Sequence, residues 1–381
     1  MIHFEAAEFA ARKARTLAAM AQAGLDGLLL FRQETMYWLT GYDSFGYVFF
    51  QCLHLAADGS MVLLTRAPDL RQAELTSILS DVRVWVDGED ADPAAALRAI
   101  LAERGGRGAR LGVEYEAYGL TAANGMRLAA ALEGFCTLAD ASLLVSRLRV
   151  VKSAAEIACV RRAAALADDV LEAAAAQARP GADEGRILAA MMGALYAGGG
   201  DSPGNPYIIG SGREAMLVRS HSGRRVLGAA DQLTLEFAGV WRHYHACLMR
   251  TIPIGPLPER QRAMQTVALD AMAACLEAMR PGRPLGAVFA AHARVVDGAG
   301  MRGLRLNACG YSLGTTFAPN WMDWPMIHAG SEVVIEPGMV FFLHMILMDT
   351  EAGLAMMPGQ TVLVGPAGCE LLSRHRLGLP G

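Results

Sequence analysis

The stretch LTLEFAGVWRHYHACLMRT, residues 233–251, constrains this chain more than any other. LTLEFAGV has the β-branched and aromatic content of a buried strand, and Ala238-Gly239 reads as a tight turn or bulge. The return run HYHACLMRTI alternates, which puts His243, His245 and Cys247 on one face and Tyr244, Ala246 and Leu248 on the other. One hairpin thus carries a carboxylate, two imidazoles and a thiol. A buried carboxylate must be paired, hydrogen-bonded or protonated, so Glu236 is costly in an apolar strand unless something uses it.

The hairpin sits in the second half of a 381-residue chain, long enough for two domains with full cores. Residues 1 to about 145 alternate helix and strand. EFAARKARTLAAMAQAG is an amphipathic helix ending at Gly24, and DGLLLF is a buried strand. MYWLTGY and VFFQCLHLAADGSMVLLT read as strands joined at an Asp58-Gly59 turn. DPAAALRAILAERGG is a helix with Asp92 as its cap and Pro93 in its first turn. Gly105, Gly106 and Gly108 follow that helix instead of opening one, so no dinucleotide-binding loop is expected. Ser153 with Glu156 forms a capping box that opens a long Ala-rich helix. After it, two helix pairs are each followed by strands, 153–198 then 205–251 and 259–300 then 304–364. That pattern suggests an internally duplicated α/β domain around an antiparallel sheet.

Composition removes several function classes. Only 19% of residues are charged, against roughly 25% in an average domain, and 53% are hydrophobic, which points to large buried surfaces and an oligomer interface. A net charge of −4 without a basic run argues against a nucleic-acid partner. The Ala-rich segments are interrupted by Arg, Asp and Glu, so no membrane span is expected. The start, MIHFEAAEFAARKAR, carries acids and no apolar core, unlike a signal peptide. Seven cysteines without a Cys-x-x-Cys pair fit a reducing, cytoplasmic setting.

The order of segments then resembles a known fold. Two helices, the hairpin ending in Arg250-Thr251, Gly310-Tyr311-Ser312-Leu313-Gly314, Glu336-Pro337-Gly338-Met339 and the terminal TVLV-x-x-x-G-CE-x-L are similar to the pita-bread fold of methionine and proline aminopeptidases, prolidase and creatinase. YWLTGY at 37–42 resembles the N-terminal domain that proline peptidases and creatinase carry. The resemblance implies an α/β (α+β) chain with a creatinase-like N-terminal domain, 1–148, and a pita-bread catalytic domain with a curved antiparallel sheet, 149–381.

Peptidases of this fold hold two metal ions with two Asp, one His and two Glu. By the resemblance, Glu236 and Cys247 stand at the Asp positions, Tyr311 at the His position, and His344 and Gly359 at the Glu positions. Two divalent ions need several anionic oxygens, so a binuclear metallopeptidase is not expected, and neither is a cofactor. A single zinc on Glu236, Cys247 and His344 is the alternative by ligand type. The likeness is closer to the metal-free branch, creatinase and above all the ectoine hydrolases. Glu236-x-Ala238-Gly239, Tyr244-His245, Arg250-Thr251, Gly310-Tyr311, Pro319-x-Trp321 and WLTGYD carry it, with His221 near the upstream histidine of both metal-free enzymes. His344 and GLAMMPGQT depart from the ectoine hydrolase pattern, which leaves the substrate open.

These residues suit a metal-independent hydrolase acting on a non-peptide C–N bond in a small zwitterionic amidine, guanidine or amide. Glu236 is expected as nucleophile or cation anchor and His221 as general base, with His245 and His344 in support. Tyr311 is a hydrogen-bond donor to substrate, and Trp321 beside Asp323 offers an aromatic wall for a cation. Tyr244 belongs to the same substrate-binding set. Tyr42 and Tyr47 are lid residues if, as the resemblance implies, the N-terminal domain of one subunit closes its partner's site in a homodimer. Arg213, Arg219, Arg224 and Arg225 either bind a substrate carboxylate or are solvated. The rival functions are a lyase or amidase on another small metabolite and a catalytically inactive, peptidase-like binding protein.

Overall fold

The sheet that carries Glu236 is built entirely within the second of two compact units, Met1–Arg149 and Val150–Gly381. The computed structural model describes residues 2–221 and 223–377.

The first unit runs α1 (Ala6–Gln22), β1 (Gly27–Leu30), α2 (Gln33–Thr40), β2 (Cys52–Ala56), β3 (Met61–Arg66), α3 (Ala67–Thr76) and β4 (Val82–Trp85). It continues with α4 (Pro93–Glu103), β5 (Arg110–Val113), α5 (Ala122–Leu132), β6 (Thr137–Asp140) and α6 (Leu144–Arg149). The six strands are ordered β4-β3-β2-β1-β5-β6, with β2 antiparallel to both its neighbours and the remaining pairs parallel. Asp92 caps α4 as its sequence suggests, accepting from the Ala94 and Ala95 amides. MYWLTGY is not a strand. Its first five residues fall in α2, and the chain entering that helix is held from far away: the buried Glu114 carboxylate accepts the Phe31 and Arg32 amides and the Thr35 hydroxyl. A buried carboxylate fixing the helix entry and a first-turn side chain outweighs the modest β preference of Tyr, Trp and Thr.

In the second unit the capping box at Ser153 and Glu156 opens α7 (Ala154–Gln177), which is followed by α8 (Glu184–Ala197). Then come β7 (Ile208–Ser211), β8 (Asp231–Trp241), β9 (Tyr244–Ile254), α9 (Glu259–Ala278) and α10 (Leu285–Gly298). β10 (Ala308–Ser312), β11 (Asp323–His328), β12 (Val340–His344), β13 (Leu347–Asp349), β14 (Leu354–Met356), β15 (Gly359–Val364) and β16 (Cys369–Leu371) complete the unit. An antiparallel sheet is ordered β11-β10-β12-β15-β9-β8-β7, with β16 added on β15 and β13-β14 forming a separate ribbon. Helix pair, strands, helix pair, strands is thus the observed order. Apolar residues of α9 and α10 share one core with Phe341, Leu343 and Val362 on one face of the sheet. Phe342, His344 and Glu236 lie on the other face.

The central hairpin differs from expectation in one respect. Ala238 and Gly239 are interior residues of β8, and the chain turns at Arg242-His243, both at positive φ, 52° and 62°. Two left-handed residues in a two-residue loop match the twist of the flanking strands. His243 is therefore a turn residue, stacked on Phe317 with ring centroids 4.2 Å apart, and does not share a strand face with His245. Gly239 serves another purpose: a Cβ there would come within 2.0 Å of the Ala163 carbonyl oxygen, so its bare backbone lets α7 lie directly on the strand.

Candidate active site

Four strands lay one row of residues across the sheet. Glu236 pairs with Met249, Met249 with Gly359, and Gly359 with His344. The two-residue period puts Cys247 and Phe342 on the face of this row, and Tyr311, opposite Phe342, joins them. The positions singled out in the sequence, Glu236, Cys247, Tyr311, His344 and Gly359, thus come together from five strands.

Glu236 is buried, and the Tyr311 hydroxyl donates to its Oε1 at 3.1 Å. That hydroxyl in turn accepts the Trp321 indole N–H at 2.9 Å. Burial pushes the Glu236 carboxyl up from 4.5 to about 7, against the pull of the Tyr311 hydrogen bond and the Arg219 charge. Burial and the adjacent carboxylate push the Tyr311 hydroxyl well above its ordinary value, so it remains a donor. The same two influences keep the Cys247 thiol protonated.

Gly359 leaves room for its neighbour. A Cβ at 359 would stand 2.6 Å from Phe342 Cζ and 2.8 Å from Met249 Cβ. The Phe342 ring therefore occupies the space a side chain at 359 would need. It packs against Tyr311 and His344 with centroid separations of 5.4 and 5.5 Å. His344 is buried, and its Nδ1 has no hydrogen-bond partner. Burial, reinforced by His292 and Arg219, lowers it to about 4, so it is neutral at physiological pH.

His245 lies on the same face but is committed at both nitrogens. Nε2 accepts the Gly204 amide at 2.9 Å, so Nδ1 carries the proton and donates it to the His243 carbonyl at 2.9 Å. Burial holds this imidazole at about 3, and its place is to pin the 204 loop and the hairpin turn. Asn205 and Thr316 belong to the same bracing and carried no signal in the sequence. The Asn205 side-chain oxygen accepts the Trp321 amide, and the Thr316 hydroxyl lies 3.1 Å from His245 Nδ1.

Tyr244 and Asp323 are engaged outside this row. Tyr244 points to the helix side, donating to Glu156 at the start of α7 at 2.8 Å. Asp323 opens β11, where it accepts the Trp324 amide. It neighbours the buried Lys152, both lying within 3.6 Å of where a Gly314 Cβ would stand. Tyr42 is a core residue of the first unit that donates to Gln51 at 3.0 Å, and burial raises it to about 12. Tyr47 is likewise buried, whereas Phe45, Val48 and Phe49 of that segment are exposed. His221 is exposed, and among the described residues no hydrogen bond joins it to Glu236.

Chemistry that needs ionised Glu236 must switch on as pH rises through about 7. Tyr311→Phe removes the donor to Glu236 and orphans the Trp321 N–H. The acid limb of kcat/KM should then move up by about one pH unit, with roughly tenfold less activity at pH 6.5. An unmoved limb in the pH–rate profile would detach Tyr311 from the carboxylate's titration.

Comparison with known proteins supports this architecture. Residues 158–366 match the model of metallopeptidase family M24, and residues 12–151 match the creatinase/prolidase N-terminal domain. The chain is 26% identical to the ectoine hydrolase of Halomonas elongata over 389 residues, covering 97% of this chain and 96% of the relative. It is 30% identical to the probable dipeptidase PepE of Mycobacterium tuberculosis over 345 residues, covering 90% and 88%. The crystal structure of dipeptidase PepE from Mycobacterium ulcerans superposes with a TM-score of 0.85 at 27% identity, covering 99% of this chain and 98% of that one.

The family name implies metal, and the residues present do not fit a pair of divalent ions. The row offers one carboxylate already bonded to Tyr311, a protonated thiol, a neutral imidazole and a glycine whose space Phe342 fills. Among the described residues, no three His, Cys, Asp or Glu side chains converge as a metal group. With one model matching over half of the chain and a second matching its N-terminal unit, the chain belongs to metallopeptidase family M24, within the pita-bread prolidase and creatinase superfamily.

Proposed function

We propose that this enzyme is a metal-independent hydrolase of a non-peptide C–N bond in a small zwitterionic amidine, guanidine or amide. The observation that carries this reading is the Trp321–Tyr311–Glu236 hydrogen-bonded chain on a buried face that lacks the donors for two ions. A cationic substrate group lying against Glu236 would favour its ionised form and offset its burial. Tyr311 fixes the carboxylate, and the Phe342 and Trp321 rings flank the cation. Glu236 acts as cation anchor or nucleophile. His221 serves as base for the attacking water, with the imidazole of His344 in support. Water adds to the amidine or amide carbon, the C–N bond breaks, and the leaving nitrogen takes a proton. The 26% identity to ectoine hydrolase across nearly the whole chain is in accord with this substrate class. The working form proposed is a cytoplasmic homodimer.

Peptide hydrolysis is the second reading, favoured by the 30% identity to PepE. One experiment separates the two. The purified protein is assayed before and after exhaustive chelation on ectoine, creatine and related amidines, and on Xaa-Pro dipeptides with added Mn²⁺, alongside Glu236→Gln and His221→Ala. The proposed reading expects less than one tightly bound metal per chain, amidine turnover unchanged by chelation, and loss of at least about 10²-fold in Glu236→Gln. Two ions per chain with dipeptide turnover that chelation abolishes would replace it with the peptidase.

A further inference from the structure

Tyr311 on β10 and Glu236 on β8 are separated in the sheet by β12, β15 and β9, yet their side chains meet at 3.1 Å. A flat sheet would hold their backbones about 19 Å apart, beyond the combined reach of a tyrosine and a glutamate. The contact exists only because the sheet curls. The curl is closed where the His245 amide donates to the Gly314 carbonyl at 3.1 Å. Its width is set at the seam between β9 and β15, and that seam is short. β8 pairs with β9 along its whole length and β12 with β15 likewise, but among the described residues β15 meets β9 through Gly359–Met249 and Gln360–Leu248 alone.

Side chains complete the seam. On the site face the Thr361 hydroxyl bonds both the amide and the carbonyl of Cys247, each at 2.8 Å. On the opposite face the Arg250 guanidinium donates through Nη1 to the Met249 and Gly359 carbonyls, at 2.8 and 2.6 Å, and through Nη2 to Gln360 Oε1 at 2.6 Å. Met249 and Gly359 are the middle members of the row from Glu236 to His344, so one side chain ties them across the seam. Arg250 is buried, and all three of its acceptors are neutral oxygens. A cation buried in this way is costlier than an apolar side chain of similar volume unless the tie itself is needed. Gln360 is held in turn: its Nε2 reaches the His375 carbonyl at 3.4 Å. That C-terminal segment is fastened to α7 by Arg374 on Asp169 and Glu172, at 2.8 and 2.7 Å, and by His375 on Glu172 at 3.0 Å.

We propose that Arg250 is a positioning residue of the site: by holding the Met249 and Gly359 carbonyls together it fixes the width of the β9–β15 seam and so the reach between Glu236 and Tyr311. The C-terminal segment around His375 keeps it in place through Gln360. The clamp is a matter of geometry, and its bearing on turnover rests on the amidine hydrolase reading. A planar guanidinium presents several N–H groups in fixed directions and can grip oxygens from two strands at once, which a lysine ammonium cannot reproduce. If the seam widens, Tyr311 draws away from Glu236 and the carboxyl loses its one hydrogen-bond donor among the described side chains.

Two variants of the full-length protein test it: Arg250→Lys, which keeps the charge but not the planar fork, and Gln360→Met, which keeps the volume but not the acceptor. The first readout is alkylation of the native protein by N-ethylmaleimide, followed residue by residue by mass spectrometry. Cys247 lies at the seam, whereas Cys52 and Cys275 are equally buried and belong to other cores. In both variants Cys247 should react about tenfold faster or more, with Cys52 and Cys275 unchanged. An unchanged Cys247, or all three thiols faster together, overturns the assignment. The second readout is a double-mutant cycle at pH 6.5. Arg250→Lys should lower kcat/KM by about fivefold in the parent but by no more than about twofold in Tyr311→Phe, where the contact it serves is already gone. Losses that multiply in full would show that Arg250 does not act through that contact. Selective exposure of Cys247 in a protein that turns over no amidine would instead sink the proposed reaction and leave the clamp standing.

Discussion

Glu236→Gln is expected to lose turnover by at least about 10²-fold and, at pH 8, to be more stable than the parent protein. Burial raises the Glu236 carboxyl from 4.5 to about 7, so folding favours its protonated form. The stability linked to that proton is fully present below the unfolded value near 4.5 and is lost as pH rises through about 7. A displacement of this size corresponds to about 3 kcal/mol between the two ends of the window. Glutamine keeps an oxygen for the Tyr311 hydroxyl and never ionises, so the variant escapes the loss. Thermal midpoints at pH 5 and pH 8 measure it, with a gain over the parent of about 5–10 °C at pH 8 and little difference at pH 5. Equal pH dependence in both proteins would mean that Glu236 does not carry the proton assigned to it. The pairing of lost activity with gained stability is what a strained, functional carboxylate produces and what a purely structural one does not.

Gly239→Ala should be among the most damaging small substitutions in the chain. The added methyl would meet the Ala163 carbonyl oxygen at 2.0 Å, the Ala167 amide nitrogen at 2.4 Å and Ala167 Cα at 3.0 Å, all backbone atoms of α7. No rotamer relieves a clash with backbone, so the helix has to lift from β8. A destabilisation of about 3 kcal/mol or more follows, at the upper end of overpacking costs. The displaced helix would also strain the Tyr244–Glu156 bond that ties its first turn to β9. Gly193→Ala, inside α8 with nothing within 4 Å of the added carbon, is the control and should be neutral or stabilising by up to about 1 kcal/mol. Soluble yield and thermal midpoint of the two variants settle it. A well-folded Gly239→Ala would show that α7 approaches the strand less closely than described.

Gly239 also shows where the sequence could and could not be read. Glycine is the strongest local marker of a turn, so Ala238-Gly239 invites one, whereas Arg242-His243 carries neither the glycine nor the asparagine that usually marks positive φ. What decides the matter is a helix some seventy residues upstream. The helix at 33–40 is the same lesson, since Glu114, which holds its entry, is 79 residues beyond Thr35. Elements with local punctuation were legible: the Asp92 cap, the Ser153–Glu156 box and the paired helices all stand where composition and spacing put them. Within the site, Glu236, Tyr311, Trp321 and His344 were legible from motif positions and do converge. Phe342 was not, because its meaning depends on β12 lying beside β15 in one particular register. His245, expected in a supporting catalytic role, instead has both nitrogens bonded to the 204 loop and the hairpin turn.

The ring of Phe342 has a consequence for how this chain could change. A glutamate introduced at 359 would set its first carbon 2.6 Å from the Phe342 ring and 2.8 Å from Met249 Cβ, while shrinking 342 alone would open a void beside Tyr311. Trimming Phe342 clears only the first of those contacts, because Met249 Cβ moves only with the backbone of β9. A side chain at 359 therefore asks for a wider spacing between β15 and β9 as well as a smaller residue at 342.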